Sequence, residues 1–327
     1  MCSSDLNKLK RQIQLLPPEV RSWDVYEGLV NEVKNLGVVL PMVDLLHSPF
    51  MQDRHWDEVK KATGKQFDKG DNFCLADLLA LELHKHVDEV EYIVELAKKE
   101  SNIASQLEKI EAKWATLRLD FGVHPKKAYL QVIHRPDDIL ATLEEHMSQL
   151  QSMQGQGKYV EHFIDRVNLW QQRLNVVETV LNDWLDVQKK WGSLESIFMG
   201  SVDIKSQLPE DSNRFDEIDA TWRDLMQHAS ETPMVLDACQ APGRAEMLAT
   251  LKVGLEQCEK SLYQYLEMKR KTFPRFYFIS NLALLEMLST GDDPHAVQKH
   301  IADCFDTLHH LEFKPVGDDN DTTDLDR

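Results

Sequence analysis

The sequence is poor in glycine and proline and has no long hydrophobic run. Its 327 residues include only 13 glycines and 12 prolines, a composition that favours helices over strands joined by turns. No apolar run reaches the ~20 residues that cross a bilayer, and the polar stretch from Met1 to Arg11 lacks the apolar core of a signal peptide. We therefore expect no membrane partner.

Positive charge is also scarce. Lys and Arg number 37 against 55 Asp and Glu, so the formal net charge is −18. Binding to nucleic-acid phosphates needs clustered basic side chains, and this balance predicts no nucleic-acid partner and favours partners with basic patches. The 42% apolar content is enough for one large or two ordinary globular units.

Cysteine is rare and unpatterned. The count is odd and no CxxC pair occurs, which predicts reduced thiols in a cytosolic compartment and not a disulfide framework. The five residues are Cys2, Cys74, Cys239, Cys258 and Cys304.

Motifs of nucleotide and acyl chemistry are missing. A phosphate-binding loop needs GxxxxGK[ST], and Gly64-Lys65, the nearest approach, lacks the earlier glycine and is followed by Gln66. No GxSxG element of the serine hydrolases occurs. The sequence therefore predicts no catalytic and no cofactor-binding residue in this chain.

Histidines and paired carboxylates have plainer explanations than metal binding or catalysis. His84 and His86 are two apart on a predicted helix, where they point to different faces, so we expect exposed histidines; adjacent His309 and His310 fail the same test. The pairs Asp137-Asp138 and Asp292-Asp293 stand at predicted helix starts, where carboxylates favour the positive end of the dipole. We predict no metal site.

A long amphipathic helix is predicted over residues 84–121. Its apolar residues recur at steps of three and four, so they share one face, and Gly122 and Pro125 supply a stop. Five charged residues between them are predicted to form a solvated face: Lys98, Lys99, Glu100, Glu108 and Lys109.

A second long helix is predicted over residues 158–190. It has a heptad-like apolar seam suited to antiparallel packing, and this seam skips Gln188. We interpret its tryptophans as core anchors. The seam comprises Phe163, Val167, Trp170, Leu174, Val177, Leu181, Trp184 and Trp191.

The remaining pattern is helical with few strand signals. Shorter helices are predicted at 51–63, 75–83, 137–153, 211–228, 245–271, 281–288 and 295–308. Residues 128–133 suit one half of a small hairpin, and residues 276–279 a strand or a tight turn. The predicted fold class is all-α: an elongated array of helical bundles with long amphipathic helices and at most a small β-hairpin.

One stretch carries a family resemblance. Residues 265–281 read YLEMKRKTFPRFYFISN, which is very similar to a signature in the linker region of dynein heavy chains. The matching residues are Lys269, Arg270, Phe273, Pro274, Arg275, Phe276, Tyr277, Phe278, Ser280 and Asn281.

Further elements of the same family follow in order along the chain. Leu40-Pro41 and the triplet Arg54, His55 and Trp56 resemble its LP and RHW elements. Residues 191–198 resemble WxxLxxIF, and residues 203–209 resemble DIxxQLP. The resemblance spans residues 20–313, and LSTGDDP and ATGKQF are most similar to the axonemal outer-arm chains.

The resemblance implies a function that composition does not. In this family the linker is a lever across an AAA+ ring, which binds ATP and Mg; nucleotide turnover there bends and straightens the lever and drives microtubule-based movement. The implied partners are that ring, microtubules, and the intermediate and light chains of the complex. The implied localisation is cytoplasm and cytoskeleton, in the axoneme of a cilium or flagellum.

The predicted organisation is a polar N-terminal segment at 1–19, the linker region at 20–313 and an acidic disordered tail at 314–327. A heavy chain continues into the ring, whereas this sequence ends in that tail; we therefore expect a chain that is not an enzyme by itself. Two alternatives stay open: a free-standing helical scaffold derived from a dynein linker, and an unrecognised enzyme.

The signature residues have predicted roles. Pro274 disfavours helical geometry at Phe273, so the chain should turn there. Two interpretations of the aromatic residues of the signature stay open: a plug between two helical bundles, or a surface of which part contacts the ring when the lever docks. Arg275 is expected to stack on an aromatic ring or to pair with an acidic group. Arg54 and Trp56 are predicted to fasten their helix to its bundle, and contact of the Arg54, His55 and Trp56 element with the ring is the alternative. Candidate flexing points are residues 155–157 and 192–208.

Overall fold

The computed structural model describes residues 3–67, 77, 80–124, 127–289, 295, 298–308 and 310–312. The predicted tail at 314–327, the pair Asp292-Asp293, and Cys2 and Cys74 lie outside these residues. The chain divides into two compact units. Unit 1 comprises residues 1–113 and 145–171, and unit 2 comprises residues 114–144 and 172–327.

Unit 1 contains a helical hairpin and a three-helix core. Its helices are Ser3–Gln14, Asp24–Leu46, Asp53–Thr63 and Val87–Trp114, with 3-10 turns at Pro18–Ser22, Leu83–Lys85 and Gly157–Phe163. In the first helix, Leu6 and Ile13 pack against Val33 of the second. Amphipathic spacing thus makes part of the polar segment 1–19 a packed helix.

The main core of unit 1 joins helices 24–46, 53–63 and 87–114. Met42, Leu46, Trp56, Val59 and Val90 belong to one buried cluster. Helix 53–63 ends at Gly64, whose φ of 66° is left-handed. Glycine adopts this conformation without a Cβ penalty, and the predicted helix end at Gly64 is confirmed.

The first predicted long helix is shorter than its pattern. It occupies Val87–Trp114, so the predictions that it continues to Phe121 and stops at Gly122 are wrong. Instead the N–H of Leu119 donates to Pro233 O at 2.7 Å, and Leu117 O accepts from the N–H of Val235 at 3.1 Å. Pairing with a distant segment overrides the local helical spacing.

The hairpin comprises strands Asp120–His124 and Lys127–His134, which pair antiparallel with Phe121 opposite Ile133. The strand predicted at 128–133 is confirmed. A Cβ at Gly122 would lie 2.6 Å from the ring of His134, so a larger residue there would require this exposed imidazole to move. The hairpin is the one sheet among the described residues.

The second long helix occupies Ile164–Gly200, after the 3-10 turn. Every residue of its predicted seam is buried, which confirms the seam. Gln188, the skipped position, accepts from the N–H of Ile133 at 2.8 Å and donates to its carbonyl at 3.0 Å. The side-chain amide thus pairs with the outer edge of strand 127–134.

Unit 2 contains helices from both of its segments, 114–144 and 172–327. They are Val202–Gln207, Pro209–Glu231, Val235–Gln240, Arg244–Thr272, Asn281–Ser289 and Ile301–Cys304, and Asp137–Gln154 begins in this unit. Trp191 stacks on Trp222 with centroids 6.3 Å apart, and Phe198 on Phe215 at 5.3 Å. The WxxLxxIF element therefore supplies core aromatics.

Some expected boundaries change. Within the helix predicted at 295–308, residues 295, 298 and 301–304 are helical, and residues 299–300 and 305–308 are not. Gly192 lies inside helix 164–200, and this helix ends before Ser201. Predominantly helical folding with one hairpin matches the predicted fold class. Across the described ranges, no helix is long and apolar enough to cross a membrane.

Candidate functional site

The first group of predicted site residues, Arg54, His55 and Trp56, opens helix 53–63 in unit 1. Gln52 precedes the helix, and its backbone N–H donates to Nδ1 of His55 at 3.1 Å. The Gln52 side chain in turn accepts from the His55 backbone N–H, which completes a capping box. His55 thus closes the helix start with its own ring.

The other ring nitrogen of His55 reaches Glu100. His55 Nε2 lies 3.1 Å from Glu100 Oε2. Because Nδ1 accepts the Gln52 N–H, Nε2 carries the proton and donates to the carboxylate. Arg54 Nε donates to the same oxygen at 2.9 Å. We call Arg54, His55 and Glu100 the Glu100 network.

Burial makes this network costly to break. His55 is 2% exposed and Glu100 5%. The prediction that Glu100 belongs to a solvated face is wrong, because Arg54 and His55 approach it from another helix. Sequence spacing within helix 87–114 gave no sign of this partner, which lies 46 residues away.

Trp56 points to the hydrophobic core instead. It is buried in the main cluster of unit 1 and meets Phe67 edge-to-face with centroids 6.0 Å apart. The Arg54 guanidinium also lies 5.8 Å from the centroid of the Phe163 ring. These contacts support the prediction that Arg54 and Trp56 fasten their helix to its surroundings.

The second group of predicted site residues lies in unit 2, at the end of helix 244–272. Phe273 is extended, with φ −129° and ψ 95°, directly before Pro274. Residues 274–278 then form a 3-10 turn, which confirms the predicted turn and decides against a strand at 276–279. We call residues 273–280 the aromatic loop.

Arg270 holds the aromatic loop from the last turn of helix 244–272. Its Nε donates to Phe276 O at 3.2 Å, and its Nη2 donates to Ile279 O at 3.2 Å and to Asn281 Oδ1 at 2.7 Å. Its Nη1 donates to Glu267 at 3.3 Å. Arg270 is only 9% exposed. We call these contacts the Arg270 network.

The rings of the aromatic loop are largely exposed. Phe278 is 74% exposed and Tyr277 53%, and no residue of the 3-10 turn is buried. The interpretation of the cluster as a buried plug is therefore wrong for Tyr277 and Phe278. Phe273 and Phe276 do meet edge-to-face, with centroids 4.8 Å apart.

Arg275 and Lys269 stack on aromatic rings. The Arg275 guanidinium lies 4.4 Å from the centroid of Phe305 and donates to Cys304 O at 3.1 Å. This confirms the predicted stacking, and the hydrogen-bond acceptor is a backbone carbonyl, not an acidic group. Lys269 Nζ lies 5.1 Å from the centroid of Tyr265.

Tyr265 is hydrogen-bonded to Asp203, the first residue of the DIxxQLP element. Its hydroxyl donates to Asp203 Oδ2 at 2.7 Å. Burial, and then the bond to this carboxylate, raises the pKa of Tyr265 above its ordinary value. The phenol is therefore held neutral as a donor, which suits a structural bond.

The predicted histidine pair is only partly exposed. His84 lies in the 3-10 turn Leu83–Lys85 and His86 follows it, and both are half-buried. The prediction of exposed residues on an α-helix is thus wrong in both respects. In the part of the chain that the structure describes, no cluster of three or more His, Cys, Asp or Glu could hold a metal.

Glu100 and Glu267 were not predicted as site residues, and Asn281 was named only as part of the family signature. The two carboxylates accept from arginines, and Asn281 starts helix 281–289 and accepts from Arg270. Asn281 and Glu267 lie in or beside the quoted signature, which was a usable signal. For Glu100 the sequence offered none, because its partner is distant.

The two groups of signature residues lie in different units, and each organises a helix end. The fold and these networks define a class: a helical-bundle protein whose marked residues order chain turns and present aromatic rings. The chain matches the family described as dynein heavy chain, N-terminal region 2, over residues 1–325.

Similar proteins agree with this match. The chain is 45% identical over 313 residues to the dynein beta chain of the flagellar outer arm of Chlamydomonas reinhardtii. It is 42% identical over 311 residues to dynein axonemal heavy chain 17 of Mus musculus, and 38% over 318 residues to the ciliary dynein beta chain of Heliocidaris crassispina. These alignments cover 95%, 95% and 97% of this chain and 7% of each relative. The chain belongs to the dynein heavy chain family.

Proposed function

We propose that this chain is the mechanical linker, or lever arm, of a dynein heavy chain. It couples ATP-driven changes in the AAA+ ring to microtubule-based movement, while the ring binds ATP and Mg. The relatives are named as flagellar, axonemal and ciliary chains, so we place it in the cytoskeleton of an axoneme. Its partners are the ring and, through the complex, microtubules and intermediate and light chains.

Long helices with continuous buried seams support a lever. Helix 164–200 has 37 residues, and the tryptophans of its seam, Trp170, Trp184 and Trp191, are at most 6% exposed. Close-packed interiors resist deformation. A helix packed along its length by large side chains is therefore suited to transmit displacement.

The observation that carries the proposal is the exposed aromatic surface within the family signature. Tyr277 and Phe278 are 53% and 74% exposed, and Leu282, which follows the signature, is 75% exposed. Aromatic rings are enriched at interfaces because they bury much area at little entropic cost. Holding such rings outward on an ordered loop suits contact with another surface, and the ring is the proposed partner.

The test is a heavy chain that carries this segment with both Tyr277→Ala and Phe278→Ala. Loss of the two aromatic side chains should slow microtubule gliding by about twofold or more, while ATP turnover by the AAA+ ring continues. The matched control is Val202→Ala, which truncates a residue that is 84% exposed on another helix of unit 2 and should leave velocity unchanged.

The opposite result would sink the proposed docking surface: equal gliding velocity in the double variant and the control. The alternative of a free-standing scaffold predicts a further difference. Under that alternative the segment would bind its partners without affecting gliding at all, even when helix 164–200 is disrupted.

A further inference from the structure

Arg270 is buried, and it donates hydrogen bonds to the aromatic loop beyond its own helix. We infer that Arg270 is the positioning residue of the aromatic surface, fixing Tyr277 and Phe278 in the orientation that docks. The inference rests on the proposed function, because it explains how the proposed contact surface is held in place.

The guanidinium joins three consecutive parts of the chain. It starts on helix 244–272, accepts no bonds, and donates to the carbonyls of Phe276 and Ile279 within or beside the loop. It also donates to Asn281 at the start of helix 281–289. Both ends of the turn are thereby tied to one rigid group.

The charge of this buried side chain has a nearby partner. Glu267, one turn earlier, lies 3.3 Å from Arg270 Nη1. The same carboxylate accepts from the Tyr277 hydroxyl at 3.3 Å, and the guanidinium lies 5.9 Å from the centroid of the Tyr277 ring. Glu267 and Arg270 therefore hold this tyrosine from its hydroxyl and from its ring.

Lysine cannot replace Arg270 in this geometry. Arginine presents five N–H donors in a planar fork, whereas the lysine ammonium is a point charge with three donors. The acceptors in the network lie on separate residues in different directions. Arg270→Lys should keep the charge but leave the Phe276 or Ile279 carbonyl without its partner.

The rings depend on these carbonyl bonds for their placement. Phe276 and Ile279 flank Tyr277 and Phe278 in the chain, so the two bonds fix the backbone on both sides of the exposed rings. Neither exposed ring has a buried packing site of its own. Once the carbonyls are released, the rings should sample many orientations, which costs binding.

The experiment compares Arg270→Lys with Lys271→Arg in the heavy chain. Both substitutions keep the charge, and Lys271 is the exposed neighbour on the same helix. Hydrogen exchange of residues 273–281 and microtubule gliding velocity are measured for both. A variant carrying Arg270→Lys together with Tyr277→Ala and Phe278→Ala completes the set. Asn281→Ala, which removes one acceptor, serves if Arg270→Lys does not fold.

We expect Arg270→Lys to raise the rate of amide hydrogen exchange in residues 273–281 by about tenfold and to leave the exchange rates of helix 137–154 unchanged. Velocity should fall to that of the Tyr277→Ala, Phe278→Ala variant. Adding Arg270→Lys to that variant should produce no further loss, because residues acting through one another are not additive. A purely structural role would instead loosen helix 137–154 or add a separate loss.

Unchanged exchange in residues 273–281 would overturn the inference. The inference would also fail if Arg270→Lys raised hydrogen exchange in the loop but left gliding velocity normal, while Tyr277→Ala with Phe278→Ala slowed gliding. If Tyr277→Ala with Phe278→Ala does not slow gliding, the docking proposal alone fails. Raised hydrogen exchange in Arg270→Lys would still show that Arg270 orders the loop.

Discussion

The Glu100 network of unit 1 and the Arg270 network of unit 2 each order a helix end, but the buried group at the centre is a carboxylate in the first and a guanidinium in the second. In unit 1 a buried carboxylate receives bonds from Arg54 and His55, which are side chains on another helix. In unit 2 a buried guanidinium donates to backbone carbonyls of the next turn. One network joins distant side chains; the other orders local backbone.

The contrast holds for these two networks and not for the two units as a whole. Unit 1 also pairs Arg166 with Glu111, which accepts from Trp170 as well, but unit 2 has a buried carboxylate of its own, Asp219, which accepts from Trp191 and Arg223. Side chains of unit 2 that bind backbone include Gln188 at Ile133 and Arg275 at Cys304. Unit 2 contains the hairpin and the aromatic loop, whose backbone groups lie outside helices and need such partners.

This difference has an energetic consequence. A buried charge loses most when its counter-charge is removed, whereas an uncharged backbone group loses about the value of a satisfied hydrogen bond. Removal of a buried carboxylate such as Glu100 should therefore cost more free energy of unfolding than removal of an uncharged side chain such as Gln188, which binds backbone, or of one partner of an exposed ion pair. Four substitutions test this comparison.

The largest effect is expected for Glu100→Ala. It leaves the buried His55 Nε2–H without an acceptor and Arg54 without its carboxylate, and should lower the free energy of unfolding by about 3 kcal/mol. Chemical denaturation with exchange readout of helix 53–63 measures this. The control is Glu95→Ala on the same helix, whose solvent-exposed pair with Lys99 should contribute far less because water screens it. Equal losses would refute the role of burial.

Gln188→Ala is expected to come next. It removes a donor and an acceptor from the edge of strand 127–134, leaving both polar groups of Ile133 unpaired, at a cost of about 2 kcal/mol. Exchange of the Ile133 amide should rise with it. As a control, Lys189→Ala alters the neighbouring position of the helix and should change little. A protected Ile133 amide in Gln188→Ala would contradict the assignment.

A smaller effect, confined to alkaline pH, is expected at Tyr265. Its pKa is raised in the folded chain, so its contribution is complete below the unfolded value near 10 and is lost as pH rises toward the folded value. When the pH rises from about 8 to about 11, the free energy of unfolding should fall by roughly 1 kcal/mol less in Tyr265→Phe than in the unaltered chain. Urea midpoints measure this. Parallel pH profiles would mean that this phenol ionises normally.

The smallest effect is expected for Arg166→Ala. Arg166 donates to both oxygens of Glu111 at 3.0 Å, but the two side chains are 44% and 34% exposed. Solvent screening should limit the loss to less than about 1 kcal/mol, and salt should reduce it further. A thermal-shift series in salt checks this. A loss comparable to that of Glu100→Ala would end the distinction between buried and exposed pairs.

Much of the fold followed from local patterns. The seam of helix 164–200 and the helices at 137–154, 209–231 and 244–272 were predicted within a few residues, because their apolar spacing and end signals agree. Helices 3–14, 24–46, 202–207 and 235–240 were not predicted. Helix 24–46 contains Pro41, and proline inside a sequence usually indicates the end of a helix or a kink.

The candidate site was predicted in part. Family-like motifs identified Arg270 and the aromatic loop, and Pro274 predicted the turn. Exposure of Tyr277 and Phe278 was not predicted, since aromatic residues in sequence favour burial. The docking role of both groups of signature residues stays a prediction.

By itself the sequence determined the helical class, the seams and the residues of the family signature, because these depend on spacing along one chain. Only the tertiary structure decided that Glu100 is buried, that Leu117 and Leu119 leave the helix for Pro233 and Val235, and which backbone groups Gln188 and Arg270 satisfy. Each of these depends on a partner distant in sequence or on a turned backbone. Local periodicity contains no information about such partners, and burial and hydrogen-bond satisfaction are set by them.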